Sequence, residues 1–219
     1  MTGAARIFKS GVVLIFCLML SGTFVSGAPI GGAVAAEAEQ SPRQRIERLN
    51  AVLLDVMQNA DSWGYTGRFD RLNPLLNELF DFKLMGRVAV GAYWKSLDDA
   101  QRETLVESFG QLSIASFAAR FDGYSGETFE IVSAEKSVRD TILVKTRLIK
   151  SNGEPVALNY LTRKSGEAWR IIDIFLDARF SELARLRADY TSVMRREGYD
   201  ALINTIKARI SDLAKPENG

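Results

Sequence analysis

Histidine is missing from all 219 residues, and cysteine occurs once, at Cys17. Without histidine the chain holds no Ser-His-Asp or Cys-His pair and no His-bearing zinc motif, and a lone thiol forms neither an internal disulfide nor a thiolate cluster. Charge of one sign is lacking too. Against 28 Lys and Arg stand 27 Asp and Glu, which gives no electrostatic reason to expect nucleic acid as a partner. We therefore expect no metal and no cofactor, and any catalysis would fall to carboxylate, Lys, Tyr or Ser groups.

Long apolar runs are also scarce. The one near the start follows Arg6 and Lys9, covers 12–20, and gives way to Ser21, Gly22, Ser26 and Gly27, then to small residues at 33–36. That order is a secretory leader: a basic end, a short apolar centre and a small-residue cleavage site. Residues 1–36 are read as a signal peptide with the mature start near Glu37, and the destination as the periplasm. Cleavage removes Cys17. The remaining 37–219 suffice for one domain.

Beyond a polar stretch, Pro42 suits a first helical turn, and Ile46, Leu49, Leu53, Val56, Met57 and Ala60 recur at helical spacing. Gly64 and Gly67 interrupt the pattern before Phe69, Leu72, Leu75, Leu76 and Leu79 resume it, with Pro74 marking a bend or a helix start. Asp81 caps a short helix that Gly91 ends. Ser96 is the expected cap of a longer one reaching about Phe121.

After the turn at 122–126 the period changes to alternation. Residues 129–132, 141–150, 155–163 and 168–176 are rich in Val, Ile, Leu and Thr, and Asn152-Gly153 and 164–167 are hairpin signals. Short connections imply an antiparallel meander. Ile142, Val144, Thr146 and Leu148 alternate with Lys145 and Arg147, which gives the sheet a dry and a wet face. Helical spacing returns at Phe180, stops at Gly198, and starts again from Leu202 until Pro216. Helices, four strands, then helices make an α+β fold.

Several stretches resemble the MlaC family of periplasmic lipid-binding proteins, also called toluene-tolerance proteins: FDFKLMGRVAVGAYWKSL (80–97) with DDAQRETLVESFGQL after it, YSGE (124–127), VKTRLIKSNGEPVALNYLTRK (144–164), EAWRIIDIFLD (167–177) and RADYTSVMRREGYDALI (187–203). The resemblance implies an NTF2-like curved four-stranded antiparallel sheet covered by N-terminal and C-terminal helices. It also implies a deep cavity for lipid tails and shuttling between inner- and outer-membrane systems. The stretch DARFSELARLRADY (177–190) is similar to the hopanoid-associated branch, HpnM, so the expected ligand is phospholipid or a hopanoid-type lipid.

Large apolar side chains on three helical arcs as well as on the dry sheet face favour a pocket over a solid core. The expected lining is Met85, Tyr93, Trp94, Phe109, Leu112, Phe117, Val144, Thr146, Leu148, Leu158, Tyr160, Ile172, Ile174, Leu186 and Tyr190. Arg187 between Leu186 and Tyr190 calls for an anionic partner, either Asp173 in a structural ion pair or a lipid head group. Two other readings stay open. One is an isomerase or dehydratase with Asp173 as base and Tyr160 as hydrogen-bond donor; the other is a non-catalytic adaptor of an envelope complex. A carrier would be a monomer docking transiently on membrane transport complexes, with Arg185, Arg195 and Arg196 as one basic patch.

Overall fold

The computed structural model describes residues 40–215; the expected leader and Pro216 lie outside them. Helix α1 (Pro42–Gln58) opens on Ser41, whose hydroxyl accepts from the Gln44 amide while the Gln44 side chain accepts from the Ser41 amide. Its stripe of Ile46, Leu49, Leu53 and Val56 is wholly buried. Helix α2 (Ala60–Leu79) breaks once, at Gly64, where φ is 57° and ψ −173°. Gly67 and Pro74 lie inside α2, so the expected interruption narrows to the one residue whose backbone leaves helical space.

Helix α3 (Phe82–Val90) is capped by Asp81, whose Oδ1 accepts from the Leu84 amide at 2.9 Å, and ends at Gly91 with φ 57°. A 3-10 turn, Gly91–Ser96, leads to α4 (Asp99–Arg120). The cap of α4 is Asp98, paired reciprocally with Gln101. Ser96 is spent inside the 3-10 turn, where its hydroxyl donates to the Tyr93 carbonyl.

The sheet runs β1 (Thr128–Lys136), β2 (Thr141–Ile149), β3 (Pro155–Ser165), β4 (Ala168–Leu176) and β5 (Phe180–Ser181), in chain order and antiparallel throughout. The expected four strands are present with a short fifth. Phe180 was expected to open a helix; instead Asp177 and Ala178 turn through positive φ, 48° and 60°, and set Phe180 and Ser181 against Leu176 and Phe175. Strand β1 is also longer than its apolar run. A bulge at Val132 and a tight turn at Arg139 and Asp140, φ 55° and 58°, carry its pairing on to Lys136.

Two irregularities bend the sheet. Between β3 and β4 the register shifts at Leu161/Thr162, leaving Ile172 without a partner. Between β2 and β3 the Asn159 side chain takes the Thr146 amide at 3.1 Å, and the Thr146 hydroxyl donates to the Leu158 carbonyl. Helices α5 (Glu182–Arg196) and α6 (Gly198–Leu213) then form a helical hairpin, turning at Gly198 with φ 84°. Helix α6 packs along α4, and α5 along α3 and β4.

Candidate functional site

The buried side chains do not fill the space between the sheet, α4 and the α5–α6 hairpin. A cavity of about 600 Å³ remains, inside the usual range of small-molecule sites, about 300–1,000 Å³. Each wall follows from a pattern described above. Helix α4 supplies Phe109, Leu112, Ser113, Ser116 and Phe117; the sheet supplies Leu148, Val156, Leu158, Ile174 and Leu176; α5 supplies Leu183, Leu186, Tyr190 and Val193; α6 supplies Leu202 and Ile206. Phe80 and Met85 close the remaining side.

The walls are apolar even where the residues are not. The hydroxyls of Ser113 and Ser116 donate to the Phe109 and Leu112 carbonyls one turn back, both at 2.8 Å, so they present no free donor. They are the short side chains of α4, and the volume stands over them. Rings stiffen the rest: Phe117 meets Phe80 edge-on and stacks on Phe121, each with centroids 5.8 Å apart, and Phe109 meets Tyr190 at 6.2 Å.

Charge enters only at the opening. Arg120, Glu182, Arg185, Asp189 and Arg209 also line the cavity, and all except Glu182 are exposed. Arg185 bridges Glu182 at 3.0 Å and Asp189 at 3.1 Å, a brace along about two turns of α5. The arrangement is a hydrocarbon-lined hollow with a charged rim, a shape able to shelter apolar matter from water.

One family model matches residues 42–208, that of the MlaC protein. The chain belongs to the MlaC family. The matched stretch runs from the first residue of α1 into α6 and so takes in every wall of the cavity. A solved phospholipid-binding protein from Ralstonia solanacearum, in complex with a phospholipid, has the same fold at a TM-score of 0.68. It is 21% identical, and the match covers 78% of this chain and 97% of that one. Among the described residues no helix is long and apolar enough to cross a membrane.

On this MlaC fold, Met85, Phe109, Leu112, Phe117, Leu148, Leu158, Ile174, Leu186 and Tyr190 line the cavity. The other six expected lining residues lie elsewhere. Val144 and Tyr160 face one another across β2 and β3 and are wholly buried, with Thr146 nearly so, so this part of the dry face is closed core. Ile172 is displaced by the β3–β4 register shift. Tyr93 and Trp94 sit in the 3-10 turn, where Arg102 lies 5.7 Å over the Trp94 ring and donates to its carbonyl.

The Asp173–Arg187 ion pair is absent. Asp173 accepts from the Ser181 hydroxyl at 2.6 Å, the Leu183 amide at 3.0 Å and the Ile174 amide at 2.8 Å, which fastens β4 to the first turn of α5. Arg187 is exposed and lies over Gly91, with its Nε 3.5 Å from where a Cβ there would be. Burial raises the Asp173 pKa, and its three hydrogen bonds pull the other way without cancelling it. Burial likewise pushes up the Tyr160 and Tyr190 phenols, and neither hydroxyl has a hydrogen-bond partner. Nor can Asp173 work with Tyr160. Tyr160 stands opposite Ile174 and Asp173 opposite Leu161, so strand alternation sends the two side chains to opposite faces.

The residues that sequence reasoning missed are chiefly Ser113, Ser116, Val156 and Leu176, the charged rim, and Leu202 and Ile206. The last pair was legible: its spacing on α6 marks one buried stripe, but nothing in the sequence said that α6 would reach α4.

Proposed function

We propose that this protein is a periplasmic lipid carrier, exported by its leader and holding the tails of a phospholipid or hopanoid-type lipid in the cavity while it passes between inner- and outer-membrane systems. The observation that carries the reading is the hollow itself, about 600 Å³ walled by aliphatic and aromatic side chains. Membership of the MlaC family and the phospholipid bound by the Ralstonia protein of the same fold support it. Burying a methylene is worth roughly 0.8 kcal/mol, so a dozen crossing water unshielded would cost on the order of 10 kcal/mol. An enclosed site removes that barrier, and a shallow groove would not.

The carrier reading is preferred to an isomerase because the carboxylate and phenol such chemistry would use face apart. It is preferred to an adaptor because, among the described residues, the large exposed apolar side chains fall on separate elements, Val132 on edge strand β1, Phe180 on the opposite edge strand β5, and Tyr124 and Val138 in loops, while the cavity is continuous. The carrier works as a monomer that docks transiently on membrane transport complexes. Native mass spectrometry of the protein purified from its own envelope, followed by lipid extraction, tests this. A stoichiometric co-purifying lipid is expected. Protein that emerges empty and fails to take up phospholipid or hopanoid in titration would overturn it.

A further inference from the structure

Charge is balanced over the chain, 28 Lys and Arg against 27 Asp and Glu, but one face of the molecule is not balanced. Lys83 and Arg87 are exposed one turn apart on α3, and Gly91, a turn further, continues their stripe. Arg187 of α5 lies over Gly91, its Nε 3.5 Å from where a Cβ there would be, with the Thr191 methyl as close. One turn beyond Thr191 the same stripe of α5 carries Arg195, also exposed. None of these four cations forms an ion pair or a side-chain hydrogen bond among the described residues. The acids nearest along the chain are taken: Asp81 caps α3, Glu182 and Asp189 hold Arg185, and Glu197 holds Arg196. Glu103 and Glu107 on α4, the helix packed against α3, are exposed and pair with none of the four. Of the basic patch expected at Arg185, Arg195 and Arg196, only Arg195 is left over, and it belongs to this face. Helix dipoles account for Arg87 and Arg195, each in the last turn of its helix. They do not account for Arg187 in the body of α5, and they oppose Lys83 in the first turn of α3.

We propose that the face formed by α3 and α5, with Lys83, Arg87, Arg187 and Arg195, docks on an acidic protein surface and leaves the cavity opening free. The inference rests on the carrier reading and gives its docking a place and a chemistry. Arg187 follows the rim residue Arg185 by a little over half a helical turn, so it projects from the far side of α5 from the opening. A bilayer held against this face would meet the closed side of the molecule. A protein partner can hold the face while the opening is turned to a second surface. Complementary charge speeds encounter and fixes orientation more than it adds affinity, which suits a contact that must form and break. Cations fixed on two packed helices present a set spacing that carboxylates on a folded partner can match.

Poly-L-glutamate, standing in for an acidic protein surface, is titrated into the protein and followed by backbone amide shifts. The shifts should gather on α3, the 3-10 turn and α5, and binding should weaken about tenfold or more as salt is raised from low to physiological strength. The triple variant K83E/R87E/R187E should bind about tenfold more weakly or worse, and the neutral K83Q/R87Q/R187Q about threefold more weakly. K136E, on edge strand β1, should bind as wild type does. Displacement of a fluorescent fatty acid should be unchanged in every variant, which shows that they are folded with the cavity intact. Shifts that gather elsewhere, or binding that the triple charge reversal leaves in place, refute the docking face. Vesicles of phosphatidylglycerol and phosphatidylcholine should bind weakly and alike in wild type and the triple variant; if they bind as tightly as polyglutamate and lose it in the triple variant, the face meets a membrane and the proposal falls. If wild type takes up no fatty acid, the carrier reading fails, while the polyglutamate titration still decides the docking face.

Discussion

Filling the cavity from within separates a lipid site from a loosely packed core. Ser116 is suited to this: it is half-buried on α4, its hydroxyl is tied to the Leu112 carbonyl, and it lines the hollow. In Ser116→Phe a ring replaces a hydroxyl and takes the room of about four methylenes of a bound tail. At roughly 0.8 kcal/mol each this is about 3 kcal/mol, or about a 150-fold weaker complex. Stability should move the other way or hold, since the hollow beside Ser116 leaves room for a ring between apolar walls. The melting temperature of the delipidated variant should stay within about 3 °C of wild type, or rise. Fatty-acid displacement gives the first number and calorimetry the second. A solid core would answer differently, losing about 1 to 3 kcal/mol to overpacking. A variant that melts early and yet extracts as much lipid as wild type would refute the reasoning.

Tyr160→Phe removes a wholly buried hydroxyl that has no partner; denaturant unfolding should show a gain of about 1 kcal/mol, and a loss of that size would mean the hydroxyl is bonded after all. Asp173→Ala strips the acceptor from Ser181, Leu183 and Ile174 and should cost about 2 to 3 kcal/mol, with Asp173→Asn milder because it keeps one acceptor oxygen. Because the folded state raises the Asp173 pKa, its contribution is full below the ordinary aspartate range and is lost as pH rises through the folded value. Stability of wild type relative to Asp173→Asn should therefore fall as pH rises from about 4 toward neutrality, and a rise would reverse the sign of the shift. Gly91→Ala places a side chain where φ is 57° and should lower stability by about 1 to 2 kcal/mol, measured by thermal melting; an unchanged melt would mean that the turn relaxes freely.

What was legible in the sequence was whatever depends on neighbours along the chain. The stripe of α1, the Asp81 cap, the stop at Gly91 and the Asn152-Gly153 hairpin are local, and the structure keeps them. The turns at Arg139-Asp140 and Asp177-Ala178 were not legible, because non-glycine residues adopt positive φ there under the pull of strand pairing on either side. The β3–β4 register shift was hidden for the same reason, and with it went the placement of Ile172. Within the site, residue type marked the apolar face, but it could not tell Leu158, which meets the hollow, from Tyr160, two residues on, which is sealed. That depends on how far the covering helices reach. The Arg187 expectation failed because Asp173 found closer donors in the backbone it fastens.

The hairpin of α5 and α6 comes last among the described elements, yet it furnishes two walls of the hollow. A nascent or truncated polypeptide ending before Glu182 would have its greasy sheet laid open, with Leu158 and Ile174 facing water and nothing to shelter cargo. On the carrier reading, the cavity can shelter a tail only once α5 and α6 have been made. Truncation before Glu182 should yield sticky, chaperone-dependent fragments, not weaker versions of the protein.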